Sequence, residues 1–174
     1  MTSRDLIVLL AVWLATRPRM GVFGSGWSWP VPDIDAGGVR VPAIVSSGWT
    51  SKHPALDIMF HNAQEGYFAP EGVPVRAARA GKVWSTLLGR RGWSVVVDHG
   101  GGWKTWYQHL ANVQVVPGQV VEAGEDLGKM GIDPLDQQQV RHLHFAVWQG
   151  GVGDGSSVDP TSGMQTWARS LWTP

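Results

Sequence analysis

Apolar residues along the middle of this chain come in short runs separated by turn residues. Val73–Val83 (VPVRAARAGKV) reads as strand, turn and strand, broken at Gly81. Trp93–Asp98 (WSVVVD) is a β-rich run, and Trp103–Leu110 (WKTWYQHL) is a second. The cluster His99-Gly100-Gly101-Gly102 between them predicts a hairpin. Val113–Leu127 places two more apolar runs around Pro117-Gly118 and Ala123-Gly124, and His142–Trp148 (HLHFAVW) forms a last strand. Strands at this spacing, with turn chemistry between them, predict a mainly β protein built as an antiparallel sheet or sandwich. No internal repeat is visible.

The ends read differently. Leu6–Ala15 (LIVLLAVWLA) is uninterrupted apolar sequence. Ten helical residues rise about 15 Å, half a bilayer core, so a docked helix, a signal or a short anchor all fit better than a full membrane span. From Gly21 to Pro42 the chain is rich in Gly, Pro, Trp and Ser, an extended arm leading into a domain that occupies residues 43–174. Near the other end, Ser162 and Gln165 have capping-box spacing. Met164, Trp167, Ala168, Leu171 and Trp172 follow as one apolar helical stripe, so a short terminal helix is expected there.

Composition narrows the chemistry. The 174 residues suit one domain, and 14 basic residues balance 14 acidic ones. A neutral chain argues against nucleic-acid binding through phosphate neutralisation. With 23 glycines, 11 prolines and only 16% charged residues, the chain suits a turn-rich β protein. Cysteine is absent, so a metal would have to be held by His and carboxylate.

Six histidines carry the candidate chemistry: 53, 61, 99, 109, 142 and 144. His142 and His144 lie two apart on a predicted strand, so both imidazoles leave one face about 7 Å apart. That pair either places one ring on a metal with the other beside it, or is simply a polar strand face. His53 and Asp57, four apart, converge on one helical turn or in a tight loop. His109 ends the Trp103 strand on the face of Thr105 and Tyr107. Trp49 and Trp106 are expected near the cleft, and Tyr107 is a candidate donor to substrate or oxyanion.

The order H-x-x-x-D, then Tyr107-Gln108-His109-Leu110, then Arg141-His142-Leu143-His144-Phe145 resembles the lysostaphin or LytM-like family of zinc peptidoglycan endopeptidases. The resemblance runs from about Trp49 to Pro160. It includes Gly72–Ala78 (GVPVRAA), Gly81-Lys82-Val83, Val97–Gly100 (VDHG), Val116–Gly124 (VPGQVVEAG) and Val158-Asp159-Pro160. It implies a barrel-sandwich hybrid-like fold, here with short N- and C-terminal helices. It also implies one zinc ion held by His53, Asp57 and His144, with His109 and His142 as the unligated pair. His99 matches a structural turn position, and His61 is a surface residue that rims the cleft at most. The chain departs from the family pattern at Gly131–Val140, where GIDPLDQQQV replaces the usual small and polar run before H-x-H.

The reaction implied is hydrolysis of peptide bonds in bacterial peptidoglycan by water activated at the metal. No H-E-x-x-H motif is present, so the base must be a histidine. His109 and His142 would then share proton transfer and oxyanion stabilisation, in an order the sequence leaves open. No separate wall-binding module is expected within these residues. Delivery would then fall to the N-terminal segment, docked in a phage tail or tethered at the bacterial envelope. A zinc-binding but inactive scaffold of such an assembly is the competing reading. A biotinyl- or lipoyl-type carrier barrel, suggested by the rhythm of Val115–Gly124, lacks an evident hairpin-tip lysine.

Overall fold

A computed structural model describes residues 27–160. The helices expected at Leu6–Ala15 and after Ser162 lie outside the described residues. Among the described residues, no helix is long and apolar enough to cross a membrane. The described residues form thirteen strands in chain order. They are β1 (Ile34–Ala36), β2 (Val39–Val41), β3 (Ile44–Ser47), β4 (Leu56–Asn62), β5 (Gly66–Phe68), β6 (Pro74–Arg76) and β7 (Gly81–Gly89). The rest are β8 (Gly92–Gly100), β9 (Trp103–Val113), β10 (Val120–Val121), β11 (Asp126–Met130), β12 (Leu143–Gln149) and β13 (Ser157–Val158). The mainly β antiparallel class read from the sequence is what the structure has.

The main sheet runs β10-β7-β8-β9-β12-β4-β3, with β11 bridging β9 to β6, β5 on β4 and β13 on β12. The first hairpin, β1–β2, stands apart as its own two-stranded sheet. The segment expected as an extended arm therefore ends in a hairpin. It also packs on the body: Val31 and Val41 are buried in the main core, and Arg76 N–H donates to Pro30 O. The glycine-rich turn between β8 and β9 forms as predicted. Gly101 and Gly102 both have positive φ, 60° and 83°, as a two-residue turn with right-handed twist requires.

Strand alternation sorts the side chains into two faces. Val95 and Val97, Tyr107, Leu143, Phe145 and Val147, and Leu56, Ile58 and Phe60 point into one continuous core. Each large apolar side chain so buried contributes roughly 1.5–3 kcal/mol. Val96, Ala146 and Trp148 leave the opposite face, with Trp106 packed against them. That second face is the floor on which the functional residues stand.

His99 is a core residue. Its Nδ1–H donates to Ala80 O at 3.0 Å, and Nε2 lies 2.8 Å from Thr105 Oγ1. Thr105 is hydrogen-bonded in turn to the Tyr107 hydroxyl, which accepts the Ala78 N–H at 2.7 Å. Burial pushes the His99 imidazole down to about 4, so the ring is neutral in the folded protein near pH 7. The unfolded chain protonates near pH 6.5, hence binds more protons than the folded one between pH 6.5 and 4. The stabilisation is complete above about pH 6.5 and is lost as pH falls toward 4, on the order of 3 kcal/mol in all. Urea unfolding of wild type and His99→Gln at pH 7 and pH 4.5 checks this: the variant should be weaker at pH 7 and lose less on acidification.

Candidate metal centre and groove

The register of β4 against β12 sets Asp57 directly opposite His144. Their side chains meet with His144 Nδ1 3.0 Å from Asp57 Oδ1. His53 arrives from a tight turn closed by reciprocal backbone bonds with Thr50, and its own N–H also donates to Thr50 Oγ1. Its ring Nδ1–H donates to Gly48 O at 3.1 Å. The neutral ring therefore carries a bare lone pair on Nε2, and that atom lies 3.1 Å from Asp57 Oδ2. Two acceptors facing each other at that distance need a proton or a metal cation between them.

Zinc fits this set. Tetrahedral bonds of about 2.0–2.2 Å put neighbouring ligand atoms about 3.3 Å apart. The His53, Asp57 and His144 ligand atoms all lie within 4.8 Å of one another, and no other such group of three or more occurs among the described residues. Burial opposes charge on Asp57, but the His144 hydrogen bond and the imidazoles of His142, His144 and His53 outweigh it and hold the carboxyl below its usual range. A low carboxyl pKa keeps the ligand ionised.

His109 enters by a different device. On β8, Trp93 pairs with Leu110 and Ser94 with Gln108, so His109 is an unpaired bulge residue. Its φ is 65°, the left-handed region that His tolerates better than most residues. The bulge reverses the alternation: Tyr107 and Leu110 both face the core, while Trp106, Gln108 and His109 all line the groove. The His109 Nδ1–H donates to Arg91 O at 2.9 Å, leaving Nε2 as the free nitrogen. Burial also pushes this imidazole down to about 4.

His142 lies immediately before β12, outside the strand in which it was expected. Its ring still enters the groove, because Nδ1–H donates to Val140 O at 2.9 Å and the backbone N–H bonds Gly131 O. His142 Nε2 stands 4.0 Å from Asp57 Oδ1. The His109 and His142 rings meet edge to face with centroids 4.8 Å apart. Gly131 N–H in turn donates to His109 O, so one backbone segment ties both histidines. A Cβ on Gly131 would fall 2.6 Å from Ala111 N and 2.8 Å from His109 O, which is why no larger residue fits there.

Two of the three aromatic residues expected at the cleft do not reach it. Tyr107 points into the core, fully buried and bonded to Ala78 and Thr105, because the bulge separates its face from that of His109. Trp49 packs on the core and donates to Ser157 Oγ at 3.0 Å. Trp106 does line the groove, edge to face with His144 at 5.8 Å. His61 is exposed beside Tyr67, and it is Tyr67 that reaches the groove rim.

The groove has a volume of about 600 Å³. Its wall includes Arg91 and Asp133, neither of which the sequence singled out. Asp133 lies in the divergent Gly131–Val140 run. The only local signal was Asp133-Pro134, a turn former; Asp133 Oδ1 indeed accepts the Leu135 N–H at 2.9 Å.

A β-sheet groove with two imidazoles and a carboxylate around one cation position, flanked by two further imidazoles, defines an open metal site of hydrolytic type. Residues 60–160 match Peptidase family M23, and the chain belongs to that family. The match contains His109, His142 and His144, while His53 and Asp57 precede it. DD-carboxypeptidase/endopeptidase Mpg of Neisseria meningitidis is 32% identical over 113 residues, covering 63% of this chain and 24% of that protein. The chain thus spans about a quarter of that relative. A zinc-containing peptidase from Vibrio cholerae superposes with a TM-score of 0.59 at 24% identity, covering 77% of this chain and 39% of that one. The catalytic domain of lysostaphin from Staphylococcus simulans superposes with a TM-score of 0.54 at 23% identity, covering 82% and 91% of the two chains. At these identities the superpositions speak for the fold.

Zinc at 100-fold excess over its dissociation constant should raise the melting temperature by roughly 5–10 °C. Asp57→Ala and His144→Ala should abolish that rise. Differential scanning fluorimetry with added zinc or chelator measures both.

Proposed function

We propose that this chain is a zinc-dependent endopeptidase that cleaves peptide bonds in bacterial peptidoglycan. The observation that carries this is the pairing, in one groove, of the His53–Asp57–His144 triad with two imidazoles that both keep Nε2 free. A structural metal site has no need of two such rings beside it.

Zinc, when bound, lowers the pKa of a coordinated water and polarises a carbonyl oxygen. The chain's own residues do the rest. With Nδ1–H committed to a backbone carbonyl, His109 and His142 each present Nε2 as acceptor. One ring takes the proton from the attacking water and becomes a cation. A protonated ring is then a donor, to the developing oxyanion or to the leaving amine. The backbone ties through Gly131, Arg91 and Val140 hold both rings before substrate arrives, so little reorganisation is needed during reaction. Trp106 and Tyr67 flank the path of an extended peptide along the sheet face.

Membership of Peptidase family M23 and the likeness to the DD-carboxypeptidase/endopeptidase Mpg support a wall peptide as substrate. The site of action is the cell wall, reached from the bacterial envelope or from a phage tail. Leu6–Ala15 is the segment suited to dock or tether the peptidase domain.

Purified sacculi of several cross-link chemistries, digested with and without chelator and read by mass spectrometry, test this reading. New amine and carboxyl termini should appear at one type of peptide bond and vanish with chelator. His109→Ala and His142→Ala should each retain zinc and lose roughly 100-fold or more in rate. Product formation indifferent to chelator, or full activity in both variants, would overturn it.

A further inference from the structure

Arg91 touches His109 twice, once directly and once through Asp133. Its backbone carbonyl accepts the ring's Nδ1–H at 2.9 Å. Its guanidinium pairs with Asp133 Oδ2, and that same oxygen lies 3.9 Å from His109 Nε2. The carbonyl, the guanidinium and the carboxylate close a ring with the imidazole. Asp133 is almost fully buried and the Arg91 side chain is half exposed.

The placement of these residues gives the loop its importance. Arg91 lies in the two-residue turn joining β7 to β8, between Gly89 and Gly92. The carbonyl that holds His109 is thus at a hairpin tip, the part of a hairpin most free to move. Asp133 comes from the opposite wall, three residues beyond β11 and nine before His142. Its ion pair with Arg91 ties the tip to that wall. A buried carboxylate with a hydrogen-bonded cation is costly to break, because removing one partner leaves the other charge uncompensated.

We propose that the Arg91–Asp133 pair is a positioning unit, which fixes the β7–β8 turn and thereby the carbonyl that orients the His109 ring. This rests on the peptidase reading above for its catalytic consequence, though not for the geometry itself. Arg91 meets the ring only at Nδ1, and Asp133 stands 3.9 Å from Nε2, beyond hydrogen-bond distance. The unit also gives the divergent Gly131–Val140 run a purpose, since it supplies the anchoring carboxylate.

The test uses the full chain with Asp133→Asn, Arg91→Ala and Arg91→Lys, alone and combined with His109→Ala. Nitrogen-15 histidine spectra report solvent exchange of the His109 Nδ1–H, with buried His99 as internal reference. In Asp133→Asn and Arg91→Ala that exchange should quicken by about tenfold or more while His99 is unchanged. Arg91→Lys, which keeps a cation, should restore most of the protection. On dye-labelled sacculi, kcat should fall roughly 10- to 100-fold with KM altered by less than about twofold, at unchanged zinc content. In the His109→Ala background, Asp133→Asn should cost nothing further. Arg91→Ala, at a half-exposed position, gives the answer even where Asp133→Asn folds poorly. Unchanged exchange at His109, or an equal fall of kcat in the His109→Ala background, would overturn the inference. Full activity of His109→Ala itself would instead overturn the catalytic reading of that ring, with the exchange result still deciding the geometry.

Discussion

A β-strand offers each side chain one of two faces, and this site depends on breaking that rule once. Strict alternation along β9 would bury an imidazole at position 109 beside Tyr107 and expose Leu110. The single bulge at His109 turns the ring toward the groove and returns Leu110 to the core. A left-handed φ in a non-glycine residue costs about 1–2 kcal/mol and persists only where the surroundings over-determine it. Here they do: the carbonyl of Arg91 takes the ring proton, and Gly131 N–H takes the backbone oxygen.

The same segment explains how residues far apart in sequence become one site. Gly131 packs its Cα against the backbone of Leu110 and Ala111, then accepts the His142 N–H. His142 is thereby set before β12, and β12 sets His144 against Asp57 through ordinary antiparallel register. Asp57 and His144 rest on regular sheet geometry, which is stiff, and His53 rests on a turn closed by its bonds with Thr50. The two unligated rings rest on irregular backbone pinned by hydrogen bonds. On the proposed reading, that division suits ligands that hold one geometry and rings that exchange protons.

What could be read from sequence follows the same division. The strands and the Gly101-Gly102 turn were legible because turn chemistry and period are local, whereas the His53, Asp57 and His144 set came only from the family resemblance, since His144 lies 87 residues beyond Asp57. The face of Tyr107 was misjudged because a bulge changes the phase without any composition signal. One trace was available: Tyr107 and Leu110 are three apart, a spacing that two core-facing residues of an unbroken strand cannot have. Trp49 was placed at the cleft by its distance in sequence from His53, whereas the intervening turn carries it to the core side. Asp133 was invisible because its role depends on Arg91, 42 residues away, and no local pattern announces such a pair.

Half-buried Asp57 and buried Asp133 both line this groove, and their surroundings make them unlike. Burial opposes charge on Asp133, but the Leu135 N–H, His109 and the permanent counter-charge of Arg91 outweigh it and hold the carboxyl below its usual range. Asp57 faces three imidazoles, which are cations only when protonated. Without a metal, its charge balance therefore depends on protons taken up by the rings that would otherwise ligate or act as bases. A divalent cation held by His53, Asp57 and His144 would compensate the carboxylate and take up the lone pairs of the two ligand rings. The histidine left nearest, His142, is then free to handle protons. On the proposed peptidase reading, charge compensation and catalytic readiness would thus be the same event at Asp57, while at Asp133 the Arg91 guanidinium is paired with the carboxylate in the folded chain.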